Sequence, residues 1–194
     1  AMEENFFMVV NASNRARDWE ALLSRLDRTD AEDLTMDGGG ILALQGPAAR
    51  QILAGVIGVE DFCPAFLDLA YLRETSFGNL FMARTGYTGE HGFEIFTTPG
   101  QTETLWSALL AAGAAPAGLG ARDVLRLEAG LPLYGHEIHE GVTPFEAGLG
   151  FGVRGWRERT FVGSASLPTA HPPSRKVVGF LGKKRIPREG YPVL

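Results

Sequence analysis

Apolar residues fall in short blocks along the chain, separated by glycine, proline and small polar residues, and the spacing inside each block predicts its element. Phe6 to Val10 is a compact apolar run of strand formers, too short for a helix. Asn11 and Ser13 then offer caps, and Trp19, Leu22, Leu23 and Leu26 recur at helical spacing, so this unit reads strand, turn, helix. Residues 27–39 are polar and lead into a glycine joint, Gly38-Gly39-Gly40. ILALQ (41–45) predicts a buried strand, and Gly46-Pro47 sets a proline where a helix can begin. Ile52, Leu53, Val56 and Ile57 form the apolar face of that helix, a second strand–turn–helix unit.

Next, LAYLRETSF and LFMARTGY flank Gly78-Asn79 and predict a hairpin turning at that pair. FEIFT (93–97) reads as a strand, and Thr98-Pro99 as the cap and first turn of a helix carrying Leu105, Trp106, Leu109 and Leu110. Residues 111–120 lead into ARDVLRLEAG, a short helix ended by Gly130, with Leu125 and Leu127 turned to the core. Beyond it the chain reads as loop and strand, then a Pro-rich linker over 167–174, then a new strand in KVVGFLG. Mixed element order with hairpins predicts an α+β fold of antiparallel sheets flanked by helices, rather than a parallel α/β fold.

Composition narrows the function classes. The 194 residues are 45% hydrophobic and 21% charged, ordinary for a globular protein. A net charge of -5 argues against general nucleic-acid binding, and no apolar run approaches the ~20 residues of a membrane span. The single cysteine, Cys63 in DFCPAF, reads as core filler and points to a reducing compartment. No secretory pattern opens the chain, and Ala1-Met2 reads as a tag remnant before a start methionine. The expected location is cytoplasmic, or the mitochondrial matrix in a eukaryote.

Candidate chemistry concentrates in two stretches. RTGYTGEHGFEIF (84–96) holds Gly86, Gly89 and Gly92 at every third position, with Glu90 and Glu94 four apart. A phosphate loop needs a lysine and a following helix, and here a strand follows without one. Three readings stand: turn glycines with solvated glutamates, Glu90 and Glu94 as a general acid/base pair on one strand face, or a carboxylate at a strand end that accepts two parallel N–H donors of a guanine-like or pterin edge. In GARDVLRLEAGLPLYGHEI, Arg122 and Arg126 share a helix side. Arg122, near the helix start, suits a carboxylated ligand, against the plainer reading of a salt-bridged helix in which Arg126 pairs with Asp123. His136 and His139 have neither HExxH nor CxxC around them, so no metal site is assigned. No serine sits in a GxSxG elbow.

Taken together, FFMVVNASNRARD, LALQGP, RTGYTGEHGFEIF, GLGARDVLRLEAGLPLYGHEI, TPFEAGLGFGV, FVGSASL and VVGFLGKKRIPREGYPV resemble the aminomethyltransferase (T-protein) family of the glycine cleavage system, in the family's order. The resemblance implies a folate-binding aminomethyltransferase fold, here incomplete. It implies a reaction in which tetrahydrofolate accepts a methylene carbon from an aminomethyl group on the lipoyl arm of H-protein, with release of ammonia. It further implies that Glu94 holds the donor edge of the pterin and that Arg122 contacts folate, with Tyr87 and Asn11 bordering the pocket and Tyr134 a weaker candidate. The expected division is a strand–helix subdomain over residues 3–62, a folate-binding subdomain over 63–167, and the start of a truncated C-terminal β-barrel domain over 175–194. Departures are His91, where the family has an aspartate, and His139, where it often has an acid. The family's catalytic aspartate lies in a segment preceding FFMVVN, so the catalytic residue is unknown here and a fragment without turnover is expected. Two alternatives are a folate-dependent demethylase, or the folate domain of a dimethylglycine or sarcosine dehydrogenase, and a non-catalytic folate-binding module. The last carries a KGCYxGQE motif that GYTGEHGFE does not match.

Overall fold

The computed structural model describes residues 6–27, 30–35, 39–60, 62, 64–180 and 182. Helix α1 (Arg15–Leu23) comes first, then strand β1 (Gly40–Gln45), helix α2 (Ala49–Ile57), strands β2 (Leu69–Thr75), β3 (Gly78–Ala83) and β4 (Gly92–Thr97), and helices α3 (Pro99–Ala111) and α4 (Leu119–Glu128). The four strands form one antiparallel sheet in the order β1-β4-β3-β2, so the expected α+β architecture of antiparallel sheet and flanking helices is what the chain adopts. β1 lies in the first expected subdomain and β4 in the second, and one sheet therefore runs across residues 62/63.

Strand alternation divides the sheet into two unlike faces. One carries Leu44, Phe93, Ile95, Leu80 and Met82, buried under α2 (Ala49, Leu53, Ile57) and α3 (Leu105, Leu109). The other carries Phe81 and Phe96, against which Phe7 packs edge-on at centroid separations of 4.8 and 5.1 Å. Cross-strand partners stand on the same face, so Ala43, Glu94 and Ala83 form a row on this second side.

Local chemistry closes the elements. Thr98 N–H donates to the Gln101 carboxamide oxygen at 3.0 Å at the start of α3, and the Gln101 amide donates on to the carbonyls of Phe77 and Asn79. α4 ends in a Schellman close: Gly130, at φ 71°, donates to Leu127 O, and Leu131 donates to Arg126 O at 2.8 Å.

Several expectations are corrected. Residues 6–10 form no strand; Phe7 packs onto the sheet face by its ring, and the segment makes no ladder pairing. The hairpin turns at Ser76-Phe77, two residues before Gly78-Asn79. There the Thr75 hydroxyl donates to Gly78 O at 2.6 Å and accepts from Phe77 N–H, closing the turn early. Residues 176–180 form no strand, and 183–194, with Gly38 and Cys63, lie outside the described residues. The segment after the Pro-rich stretch is instead tied back: Arg175 Nε donates to Glu146 Oε1 at 2.9 Å and Val177 N–H to Glu146 O. The Glu146 carboxyl is held below its usual range by the Thr143 N–H and by Arg175.

Candidate functional site

The glycine window of the sequence is a loop running from the end of β3 to the start of β4, laid along α4. Three contacts fix it there. Tyr87 Oη donates to Pro132 O at 2.5 Å, just past the helix end. The Arg122 guanidinium lies over the Tyr87 ring, 4.8 Å from its centroid. Gly89, at φ 77°, sits so close to the helix end that an added Cβ would stand 2.7 Å from Ala129 Cβ. Only a residue without a side chain meets both demands.

A cavity of about 410 Å³ opens beside these contacts, walled by Tyr87, Leu119, Arg122, Arg126, Leu133 and His136. That volume is in the range of small-molecule pockets, commonly about 300–1,000 Å³. Burial pushes the Tyr87 phenol up from its ordinary value, with the nearby Arg126 and Arg122 cations pulling the other way. The hydroxyl therefore stays protonated at neutral pH and remains the donor to Pro132.

Arg126 is the structural hub of this region, against the expected orientation of α4. It is only 4% exposed, whereas Leu125 and Leu127 are 39% and 60% exposed. Three bonds turn it inward: Nε donates to Asp123 Oδ1 at 2.8 Å, Nη1 to Glu137 Oε2 at 2.8 Å, and Nη1 to Leu131 O at 3.2 Å. The plainer salt-bridge reading of Arg126 and Asp123 thus holds. Burial would lower the Arg126 pKa, but its two carboxylate partners outweigh it and the net shift is upward. Glu137 behaves in the mirror sense: burial would raise its carboxyl, and the Leu133 N–H and Arg126 hold it below the usual range. Sequence reasoning missed Glu137 because the pair spans a helix end and a turn, where no periodicity links the partners.

Glu94 lies on β4, half-buried, with its Oε2 accepting from the Thr85 hydroxyl. Alanines stand opposite it on both neighbouring strands, on the face away from α2 and α3. The structure brings Tyr87 and Arg122 together in the cavity wall, and Glu94 stands outside that wall at the base of the same loop. Asn11 is exposed and spends its carboxamide oxygen on the backbone and hydroxyl of Ser13, capping the turn before α1. Tyr134 accepts from Arg17 Nη2 at 3.3 Å, and Arg17 also pairs with Glu140, which joins α1 to the 134–140 loop. His139 Nδ1 accepts from Gly141 N–H at 3.0 Å, and among the described residues no three His, Cys, Asp or Glu side chains cluster as metal ligands. No helix among them is long and apolar enough to cross a membrane.

Comparisons with known proteins agree on the family. Residues 1–155 match the family model of the GCVT N-terminal domain. The chain is 44% identical over 202 residues to an aminomethyltransferase of Rubrobacter xylanophilus, covering 98% of this chain and 52% of that protein. It is 42% identical over 200 residues to an aminomethyltransferase of Clostridium botulinum, covering 99% and 54%. The crystal structure of the glycine cleavage system aminomethyltransferase T from Bartonella henselae superposes with a TM-score of 0.69 at 33% identity, covering 82% of this chain and 44% of that one. The chain spans about half the length of the curated relatives it matches. It belongs to the GCVT N-terminal domain family.

Proposed function

We propose that this member of the GCVT N-terminal domain family holds tetrahydrofolate for aminomethyl transfer, the activity named for its relatives. The observation that carries the reading is the loop laid along α4, with Arg122 over Tyr87 at its middle and Glu94 held by Thr85 at its base. Glu94 is acceptor-only when ionised, and it stands between alanines on the neighbouring strands. It suits the parallel N–H donors of a pterin edge. Arg122, at an exposed helix start, suits a folate carboxylate, and the Tyr87 ring supplies an apolar wall. When bound, tetrahydrofolate supplies the nitrogen that accepts the one-carbon unit. The protein's part is to orient the ring and keep that nitrogen in reach of the incoming group.

In the longer relatives' reaction the donor is proposed to be the aminomethyl group on the lipoyl arm of H-protein, with ammonia released. The 194 residues by themselves are proposed to bind the pterin without catalysing that release. Calorimetry with tetrahydrofolate tests the binding part on the wild type, Glu94→Ala and Arg122→Ala. Loss of a charge-assisted hydrogen bond of about 1.5–3 kcal/mol corresponds to a roughly 10- to 150-fold weaker Kd for Glu94→Ala. Equal affinity for wild type and Glu94→Ala would remove Glu94 from the site.

A further inference from the structure

We propose that Gln45 is a positioning residue for the Glu94 carboxylate, which deepens the folate reading and rests on it. Gln45 is the last residue of β1 and pairs with Gly92, so its side chain stands on the same sheet face as Glu94, two residues further along β4. Its amide Nε2 donates to Thr85 O and to Phe93 O, both at 3.2 Å. Thr85 in turn donates its hydroxyl to Glu94. One carboxamide thus fastens the residue that holds the carboxylate to the strand that carries it.

The surroundings of Gln45 are built around that side chain. A Cβ at either Gly86 or Gly92 would overlap its carboxamide, so both glycines are small because Gln45 occupies the space. Among the described residues, nothing donates a hydrogen bond to the buried amide oxygen. Turning the amide over to bury the nitrogen there would forfeit both donor bonds, so the two carbonyls fix its orientation. An unpartnered buried acceptor persists where the rest of the group is tightly held. The position therefore demands a flat side chain that donates twice in one direction, and glutamine meets that demand where glutamate and methionine do not.

The test is discrimination at the pterin edge, which loss of packing alone does not change. The probes are tetrahydrofolate and an analogue whose pterin lacks the exocyclic amino group, bound to the 194-residue chain and followed by calorimetry. A carboxylate held against the N–H edge makes the wild type prefer tetrahydrofolate by about tenfold or more, as a site built for hydrogen bonding does. Gln45→Met is expected to collapse that preference towards unity, as Glu94→Ala does, and to add nothing in the Glu94→Ala background. Thr85→Val, which removes only the hydroxyl, gives the same collapse and keeps the proposal testable if Gln45→Met does not fold. A preference retained in Gln45→Met or Thr85→Val, while Glu94→Ala loses it, overturns the role of Gln45 alone. A wild type without preference, or a Glu94→Ala variant that keeps it, overturns the folate reading and this proposal with it.

Discussion

Arg126→Met is the sharpest test of how the cavity wall is held together. The variant keeps most of the side-chain length and removes the guanidinium from Asp123, Glu137 and the Leu131 carbonyl. The Asp123 carboxylate is 55% exposed, so that pair contributes at most about 1 kcal/mol. Glu137 is different, at 26% exposed, and its loss of a counter-charge leaves a partly buried carboxylate. Breaking a fully buried pair costs about 3–5 kcal/mol. Here Glu137 is only partly buried, and we expect about 2–3 kcal/mol. For a chain of this size that lowers Tm by about 4–12 °C, measured by circular dichroism. The pH dependence has a definite sign. Burial would raise the Glu137 carboxyl, yet the Leu133 N–H and Arg126 hold it below its ordinary value of 4.5. Its stabilising contribution is therefore fully present above that value and lost as pH falls through the lower folded value. The gap between wild type and Arg126→Met should be widest near neutrality and narrow as pH falls below the ordinary carboxylate value, through the lowered folded one. A gap below about 0.5 kcal/mol, or one that does not change with pH, refutes the ion-pair account.

Three further predictions follow from packing and turn geometry, each read by denaturant unfolding. Gly89→Ala meets both a positive φ of 77° and the Ala129 methyl, and should cost about 2–3 kcal/mol; a loss under ~0.5 kcal/mol would mean the loop lifts from α4 freely. Gln101→Ala removes the cap on Thr98 and two bonds to the β2–β3 hairpin, and should cost about 1–2 kcal/mol with protection from hydrogen exchange falling at both ends. Leu53→Ala, fully buried under the sheet, should cost about 3 kcal/mol, while Leu127→Ala, 60% exposed, should cost under ~0.5 kcal/mol; similar losses at both sites would contradict the inward roll of Arg126.

Elements whose apolar period and end signals agreed were legible in the sequence. β1, α2, β4 and α3 each combine a clear spacing with glycine or proline at the boundary, and the structure forms all four. Phe6 to Val10 had the strand composition without a turn to pair it, and composition alone does not supply a partner strand. The hairpin was legible as a hairpin, but its turn moved because the Thr75 hydroxyl competes for the backbone, an effect that glycine counting does not register. On α4 the error was larger. Periodicity assigns leucines inward by default, and a buried arginine becomes the better solution only when two carboxylates and a carbonyl are waiting for it. Glu137, which decides the matter, belongs to a turn eleven residues away.

The candidate site shows the same division between local and non-local information. Glu94 and Arg122 were singled out by residue type and Tyr87 by the family resemblance, and Tyr87 and Arg122 do meet. Gln45 and Thr85 passed unnoticed, because neither carries a charge and each matters through its partner. The three glycines explain why. Gly86 and Gly92 are open because Gln45 fills the space beside them, and Gly89 is open because the end of α4 presses against it. A glycine-rich window that looks permissive is here constrained from two sides at once, by the end of β1 and by the end of α4. It follows that an alanine at any of the three does more than stiffen a turn. At Gly86 or Gly92 it displaces the carboxamide that fixes Thr85, and so moves the Glu94 carboxylate. At Gly89 it pushes the loop off the helix and separates Tyr87 from Arg122. Stability and ligand recognition are therefore coupled through these three glycines, and the two sides of the loop should fail differently. The first pair loses discrimination at the pterin edge, while Gly89→Ala loses affinity for both pterins alike.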